Sequence, residues 1–395
     1  MKSVRKTSFK IPPESDPIVA QIQADCDQIS RTKADIPQSV SRRRFLRQAS
    51  KGVVGMGLAL GGVAAATKGA FAQLGRQSGG PPGEIIEEEL TPLVEARSEK
   101  VWNGDVLDEG VVNEMVDRAM MKLTGLDSAK EAWKDFVLPT DIVGIKINPL
   151  AGEQLSTHRI IVDKIIEGLH GAGILSNQII IWDRFESHLV NAGYEINQSD
   201  QGVRCFASDS EGVGYDDEVF YETEKDVEVR RENGSTLSRY TKLLTTEFTV
   251  VINVPVMKHH GIAGVSGCLK NLAFGSVDNT SRFHSNPINC NPAIADIYAH
   301  TVLKDKVVLN IVDGLLAAFN GGPTYDPNGV WQYGSILVSQ DPVALDQIVY
   351  QTIEEKRKEL ELPTLSRLSK YIRSASRMDL GTNDLDEVDY QEVKV

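Results

Sequence analysis

The chain has 395 residues, with 42 Lys and Arg against 55 Asp and Glu, for a formal net charge of −13. Residues 1–72 hold 12 of the basic side chains and only 5 of the acidic ones, so the remainder keeps 30 basic and 50 acidic groups, a net charge near −20. Such a surface repels nucleic acid and anionic lipid, which argues against a polyanionic partner, while its length is enough to bury a large α/β core.

Residues 1–40 read as a polar, Pro-containing arm. Ser41-Arg42-Arg43-Arg44-Phe45-Leu46-Arg47 then resembles the twin-arginine export signature, and an apolar, glycine-rich run from Gly52 to Ala66 leads to Ala70-Phe71-Ala72. Basic region, short apolar region and A-x-A site form the order of an export peptide, with cleavage expected after Ala72. The apolar run falls short of the ~20 residues of a membrane span. The expected address is therefore periplasmic or otherwise extracytoplasmic, with the twin-arginine machinery as a partner and no stable membrane span after cleavage. Residues 73–84 read as a linker into one α/β domain over 85–395.

A helix is expected over 109–122, with Val112, Met115, Val116, Ala119 and Met120 on one face. Asp141–Ile147 reads as a buried strand, 157–170 as a helix closed by Gly171 and Gly173, and Gln178–Trp182 as a second buried strand. Strand, helix, strand at this spacing is a right-handed βαβ unit with parallel strands. Residues 205–247 are more polar; Asn233-Gly234 between Val227–Arg230 and Ser238–Leu244 predicts a β-hairpin excursion. Strands follow at 248–254, 306–312 and 334–339, then a closing helix capped by Asp341 with Pro342 in its first turn. The expected fold is α/β, a mostly parallel sheet flanked by helices.

In open parallel sheets, ligands bind beyond the carboxyl ends of the strands. Polar residues stand at five such ends: Lys146 and Asn148; Asp183, Arg184 and His188; Lys258, His259 and His260; Asp313; and Asp341. The richest stretch runs from Val254 to Leu272, where a glycine-rich turn enters a short helix bearing Lys270 and Asn271. Glycines admit close approach of backbone to a ligand, and amides at a helix start favour anions. These types nominate His259, His260 and Lys270 as catalytic groups, and Lys146, Asn148, Arg184, Lys258 and Asn271 as binding groups for a small anionic molecule. A bound metal would draw on His260, His284, Asp183 and Asp313, although no zinc signature spacing is present. His158, His170 and His300 read as structural, and Asp346 as a helix-surface acid.

The cysteines are Cys26, Cys205, Cys268 and Cys290, with no C-x-x-C pair, so neither an iron–sulfur cluster nor a zinc ribbon is expected. An oxidising compartment permits one disulfide, and Cys268–Cys290 is one pairing the mature thiols allow. No G-x-S-x-G, Walker loop or G-x-G-x-x-G occurs.

Val251-Ile252-Asn253-Val254-Pro255-Val256-Met257-Lys258-His259-His260, with Gly264-Val265 and Leu269-Lys270-Asn271, resembles the core motif of domain-of-unknown-function family 362. Val312-Asp313-Gly314, Gly321-Gly322-Pro323 and Ser339–Asp346 are similar too, and the likeness covers roughly 140–390. Many members carry a ferredoxin-like four-cysteine segment, so the resemblance implies an exported redox partner; this chain lacks that segment. The turn Gly264–Lys270 is also similar to one in the lactate racemase family, where a lysine holds a nickel–pincer cofactor and histidines exchange a proton or hydride. Here the doubled glycine before that lysine is missing. Three functions follow: an exported enzyme acting on a small anion, a non-catalytic binding or maturation partner of exported redox enzymes, and a metal- or cofactor-carrying redox subunit.

Overall fold

The computed structural model describes residues 90–223, 236–285 and 288–395. The export motif and cleavage site, the linker, Cys26, and the Asn233-Gly234 turn with Val227–Arg230 lie outside the described residues.

In chain order the first strands are β1 (Thr91–Arg97), the short pair β2 (Trp102–Asn103) and β3 (Val106–Leu107), β4 (Val143–Ile147), β5 (Ile179–Trp182) and β6 (Arg204–Cys205). They are followed by β7 (Tyr215–Glu222), β8 (Leu237–Thr241), β9 (Val250–Val254), β10 (Val256–His260) and β11 (Gly264–Ser266). The last three are β12 (Val307–Ala318), β13 (Val330–Ser339) and β14 (Val388–Lys394). The helices are α1 (Glu109–Thr124), α2 (Ala129–Lys134), α3 (Arg159–Gly171), α4 (Glu186–Asn191), α5 (Cys268–Ala273) and α6 (Ala293–Tyr298). Three more complete them: α7 (Thr301–Lys304), α8 (Pro342–Glu359) and α9 (Lys370–Ser376).

Ten strands form one sheet in the order β14-β1-β13-β12-β9-β4-β5-β6, with β10 bonded to β12 and β11 to β10. Pairing is parallel through β12, β9, β4, β5 and β6, and antiparallel on either side of β13. The strands are apolar on both faces, and alternation sends their side chains to two separate cores. Val143, Ile145, Ile179, Ile181, Val250 and Ile252 meet α1, α2 and α3 on one side. Ile180, Trp182, Val251 and Val312 meet α5, α6, α8 and α9 on the other. Helix α1 has the expected apolar stripe, an Asp108 cap on the Val111 N–H at 3.1 Å and a left-handed Gly125 that stops it.

The strands expected for the central sheet and the four expected helices, now α1, α3, α5 and α8, are present, and the βαβ unit is β4–α3–β5. The excursion is a separate antiparallel sheet of β7 and β8, with Tyr215–Glu222 as its first arm. Sequence reading passed over β1 and β14, which pair in parallel at the far edge. The expectation for Asp341 is corrected here. Because β13 runs antiparallel to β12, its carboxyl end lies at the opposite edge of the sheet, where Asp341 caps α8 by accepting from the Val343 and Ala344 N–H groups at 2.7 and 2.9 Å. Among the described residues, no helix is long and apolar enough to cross a membrane.

Candidate active site

A cavity of about 370 Å³ lies at the carboxyl ends of β4, β5 and β10, on the face covered by α5. Lys146, Asn148, Asp183, Arg184, His188, His260, Lys270, Asn271 and His284 bring polar groups to it, while Leu150, Phe185, Ile262, Phe274 and Pro323 supply apolar wall. Gly275 also belongs to the wall, and a Cβ there would collide with the Lys146 side chain and the Asn271 carbonyl.

The floor comes from register. Lys146 stands opposite Trp182 on β5 and Asn253 on β9, Asn253 opposite Asn310 on β12, and Asn310 opposite Ser339 on β13. One polar row therefore crosses the buried sheet, and an amide chain links it to α5 and β10. Lys258 Nζ donates to Asn148 Oδ1 at 2.6 Å, and Asn148 Nδ2 donates to Asn271 Oδ1 at 2.9 Å. Asn271 Nδ2 donates to Asn253 Oδ1 at 2.8 Å, and Asn253 Nδ2 to Asn310 Oδ1 at 2.9 Å. Asn310 Nδ2 reaches the Gln340 carbonyl at 3.2 Å. Every amide accepts at oxygen and donates at nitrogen in the same direction, which satisfies these buried groups together. Asn148 and Asn271, read from sequence as ligand-binding, thus spend most of their capacity on this chain.

Lys146 Nζ pairs with Asp183 Oδ1 at 2.5 Å, donates to the Ile147 carbonyl at 2.7 Å, and sits 5.5 Å from the Trp182 ring centroid. Burial alone would raise the Asp183 carboxyl, but Lys146, His188 and the Arg184 N–H outweigh it and hold Asp183 below the usual range. His188 Nδ1 lies 3.4 Å from Asp183 Oδ2. Arg184 donates to Thr280 Oγ1 at 2.8 Å and to the Asp278 carbonyl.

Lys270 points its ammonium over the Phe274 ring, 5.0 Å from the centroid, and no hydrogen bond or ion pair engages it among the described residues. Burial lowers its pKa to about 8; Arg184 and Lys146 add to that and Cys290 opposes it. The two imidazoles beside it, His260 and His284, have centroids 5.6 Å apart. His260 Nδ1 accepts from the Ile262 and Ala263 N–H groups at 3.2 and 3.0 Å, which puts the ring proton on Nε2. Burial, then the charges of Lys270 and its neighbours, pushes His260 far below the ordinary histidine range. His284 Nδ1 lies 2.9 Å from the Thr280 carbonyl, an acceptor only, so Nδ1 carries a proton.

Three nominated residues stay outside the cavity wall. Lys258 is fully buried beneath it, its pKa drawn down to about 7 by burial, with Lys270 and Lys146 adding and Asp183 opposing. His259 alternates to the other face of β10, where burial and then Arg357 lower it to about 4. Asp313 accepts both the backbone N–H and Nδ1 of His158 at 2.7 Å. Burial would lower the His158 pKa, but Asp313 overcomes that and raises it. Asp183 and Asp313 thus each contact a histidine ring, His188 and His158 respectively.

Asp346 corrects two expectations. It is buried, not a surface acid, and its oxygens accept from the Cys268 N–H and, at 3.1 Å, the Leu269 N–H. The first two amides of α5, those of Cys268 and Leu269, are therefore taken by an internal carboxylate and are not offered to a ligand anion. Burial pushes this carboxyl up to about 7 against those two backbone donors. A side chain at Gly267 would collide with it.

Among the described residues no group of three His, Cys, Asp or Glu side chains could hold a metal ion. His260, His284 and Asp183 share the cavity, Asp313 does not, and His260 offers an N–H where a ligand needs a lone pair. Cys205, Cys268 and Cys290 are free and buried, which corrects the Cys268–Cys290 pairing.

The family model described as a domain of unknown function, DUF362, matches residues 143–351. No match emerges among curated proteins. A crystal structure of a protein from Thermotoga maritima is similar over 70% of this chain and 60% of that one, at 12% identity and a TM-score of 0.37, so this chain spans less than two thirds of its length.

Proposed function

This chain belongs to the DUF362 family, a domain of unknown function, and from that premise we propose that it is an exported enzyme performing acid–base chemistry on a small anionic molecule. Every residue lining the cavity falls inside the matched stretch. One juxtaposition carries the reading: Lys270, a cation with no internal acceptor among the described residues, beside one imidazole that accepts at Nδ1 and one that donates there. Among the described residues the cationic wall of Lys270, Arg184 and Lys146 faces a single carboxylate, Asp183, so the cavity favours a ligand of negative charge.

In this reading Lys270 attracts the ligand's anionic group. His284 Nε2 takes a proton from it, and His260 Nε2–H donates to the oxygen on which negative charge grows. His188, tied to Asp183, is a second base lining the cavity. Lys258 and the amide chain hold Asn148 and α5 in place. The twin-arginine signature supports export of the folded protein.

Mass spectrometry of molecules retained by mature protein from its own compartment identifies the anion. With that molecule, Lys270→Met is expected to weaken binding by roughly 10- to 100-fold, the scale of one charge-assisted hydrogen bond. His284→Gln is expected to lower turnover by about 10²- to 10⁴-fold, with an unchanged melting temperature. Tight binding without turnover in the unaltered protein would replace the enzyme by a binding partner. Indifference of binding to Lys270→Met would remove the small-anion site.

A further inference from the structure

We propose that Lys270 is a covalent catalyst whose amine condenses with the carbonyl carbon of a small oxo-carboxylate to form an imine inside the cavity. The inference rests on the small-anion reading above and names the ligand's reacting group.

Geometry sets Lys270, which is partly buried, apart from the fully buried Lys146 and Lys258. Lys146 is spent on Asp183 and a carbonyl, and Lys258 on Asn148 beneath the wall. Of the three, Lys270 alone has no acceptor among the described residues; like Lys146 it lines the cavity and lies over an aromatic ring. Its helix is pinned at the start by Asp346 and further along through Asn271, so the amine is delivered from a fixed support. A lysine used only to neutralise a surface charge needs none of these features. An amine that must lose its proton and attack carbon needs a dry wall, neighbouring cations and no internal carboxylate. The groups around it are Arg184 after β5, Lys146 on β4, His260 on β10, and His284 and Cys290 beyond α5. Burial, with Arg184 and Lys146 adding, lowers its pKa to about 8, so a useful fraction is neutral near physiological pH.

The step balances within the cavity. The amine lone pair forms a nitrogen–carbon bond as the carbonyl π pair moves to oxygen, where the His260 Nε2–H donates a hydrogen bond. His284 takes a proton from nitrogen and returns it to that oxygen, giving a carbinolamine. Loss of the second N–H proton and departure of the oxygen as water leave the imine. No oxidant or reductant is required. The positive charges of Arg184 and Lys146 attract the carboxylate, and the imine makes the adjoining carbon acidic, which gives the base a proton to remove.

The test uses the mature protein with pyruvate as probe, propionate as an anion lacking the carbonyl, and borohydride to reduce any imine. Peptide mass spectrometry is expected to find the reduced pyruvate adduct on Lys270, rising as pH passes about 8. The adduct should be lost in Lys270→Arg, while propionate binds without one. Pyruvate that shifts the melting temperature but leaves no adduct on Lys270 overturns the imine and spares the anion site. So does binding of propionate alone, or labelling spread evenly over surface lysines. If neither anion binds, both readings fall together.

Discussion

Lys258 shows how a single residue exposes the cost of building this site. It is fully buried with one acceptor, Asn148, and its pKa is drawn down to about 7 from 10.5. Between those values the unfolded chain binds a proton that the folded chain does not, so this group makes stability rise with pH over that window. Replacing it by methionine should remove the slope. Measured by urea unfolding, the stability of the unaltered protein should gain on that of Lys258→Met from about pH 7 to about pH 10. Parallel curves would mean that Lys258 keeps its proton in the fold. Residue identity made Lys258, Lys270 and His260 legible as site residues. It did not say which would face the cavity, because the period-2 alternation of β10 places His259 and His260 on opposite faces and a sequence does not state which face is wet. Asp346 was misread for a related reason: its partners lie in α5, far away in sequence, and an acid inside a helix pattern reads by default as solvent-facing.

At the scale of elements, the polar row is the feature that sequence analysis missed although its sign was present. Val-Gly-Ile-Lys146-Ile, Val-Val-Ile-Asn253-Val and Val-Val-Leu-Asn310-Ile each interrupt an apolar strand at the fourth residue, and parallel register brings the three interruptions together. A buried polar residue needs a partner, so three strands broken at equivalent places imply a shared one. Asn253→Ala strands Asn271 Nδ2, and Asn310→Ala takes from Asn253 Nδ2 one of its two acceptors, leaving the Cys268 carbonyl. Each substitution should cost about 1–3 kcal/mol in urea unfolding. The double variant should cost less than the sum by about 0.5 kcal/mol or more, since both break one chain. Strict additivity would show that the amides act independently. The βαβ core was legible from apolar runs and glycine stops. β1 and β14 were not, because their alternating patterns are weak and their pairing joins segments almost 300 residues apart.

For the whole molecule, the reversal at β13 decided which predicted strand ends could meet. Sequence gives strand position but not direction, so Asp341 was grouped with residues that lie across the sheet. The same scale sets the electrostatics. A cationic cavity opens within residues 73–395, whose net charge is near −20. Its attraction acts close to the wall, whereas the surface acids repel an approaching anion from further out. Raising ionic strength from about 0.01 M to about 0.15 M shortens the screening length from about 30 Å to about 8 Å. Stopped-flow association of a small anion should therefore speed up severalfold. Slowing over the same range would mean that the cavity's field dominates the approach.

The clamp of Asp346 on α5 bears on engineering. The motif from Val254 to Leu272 looks like a portable cassette, yet its helix start is closed by a carboxylate 78 positions away from Cys268. Transplanted into another scaffold without α8, the loop would present bare amides to solvent and let its lysine wander. A successful graft must carry both pieces, so recombination in this family should exchange them as a pair.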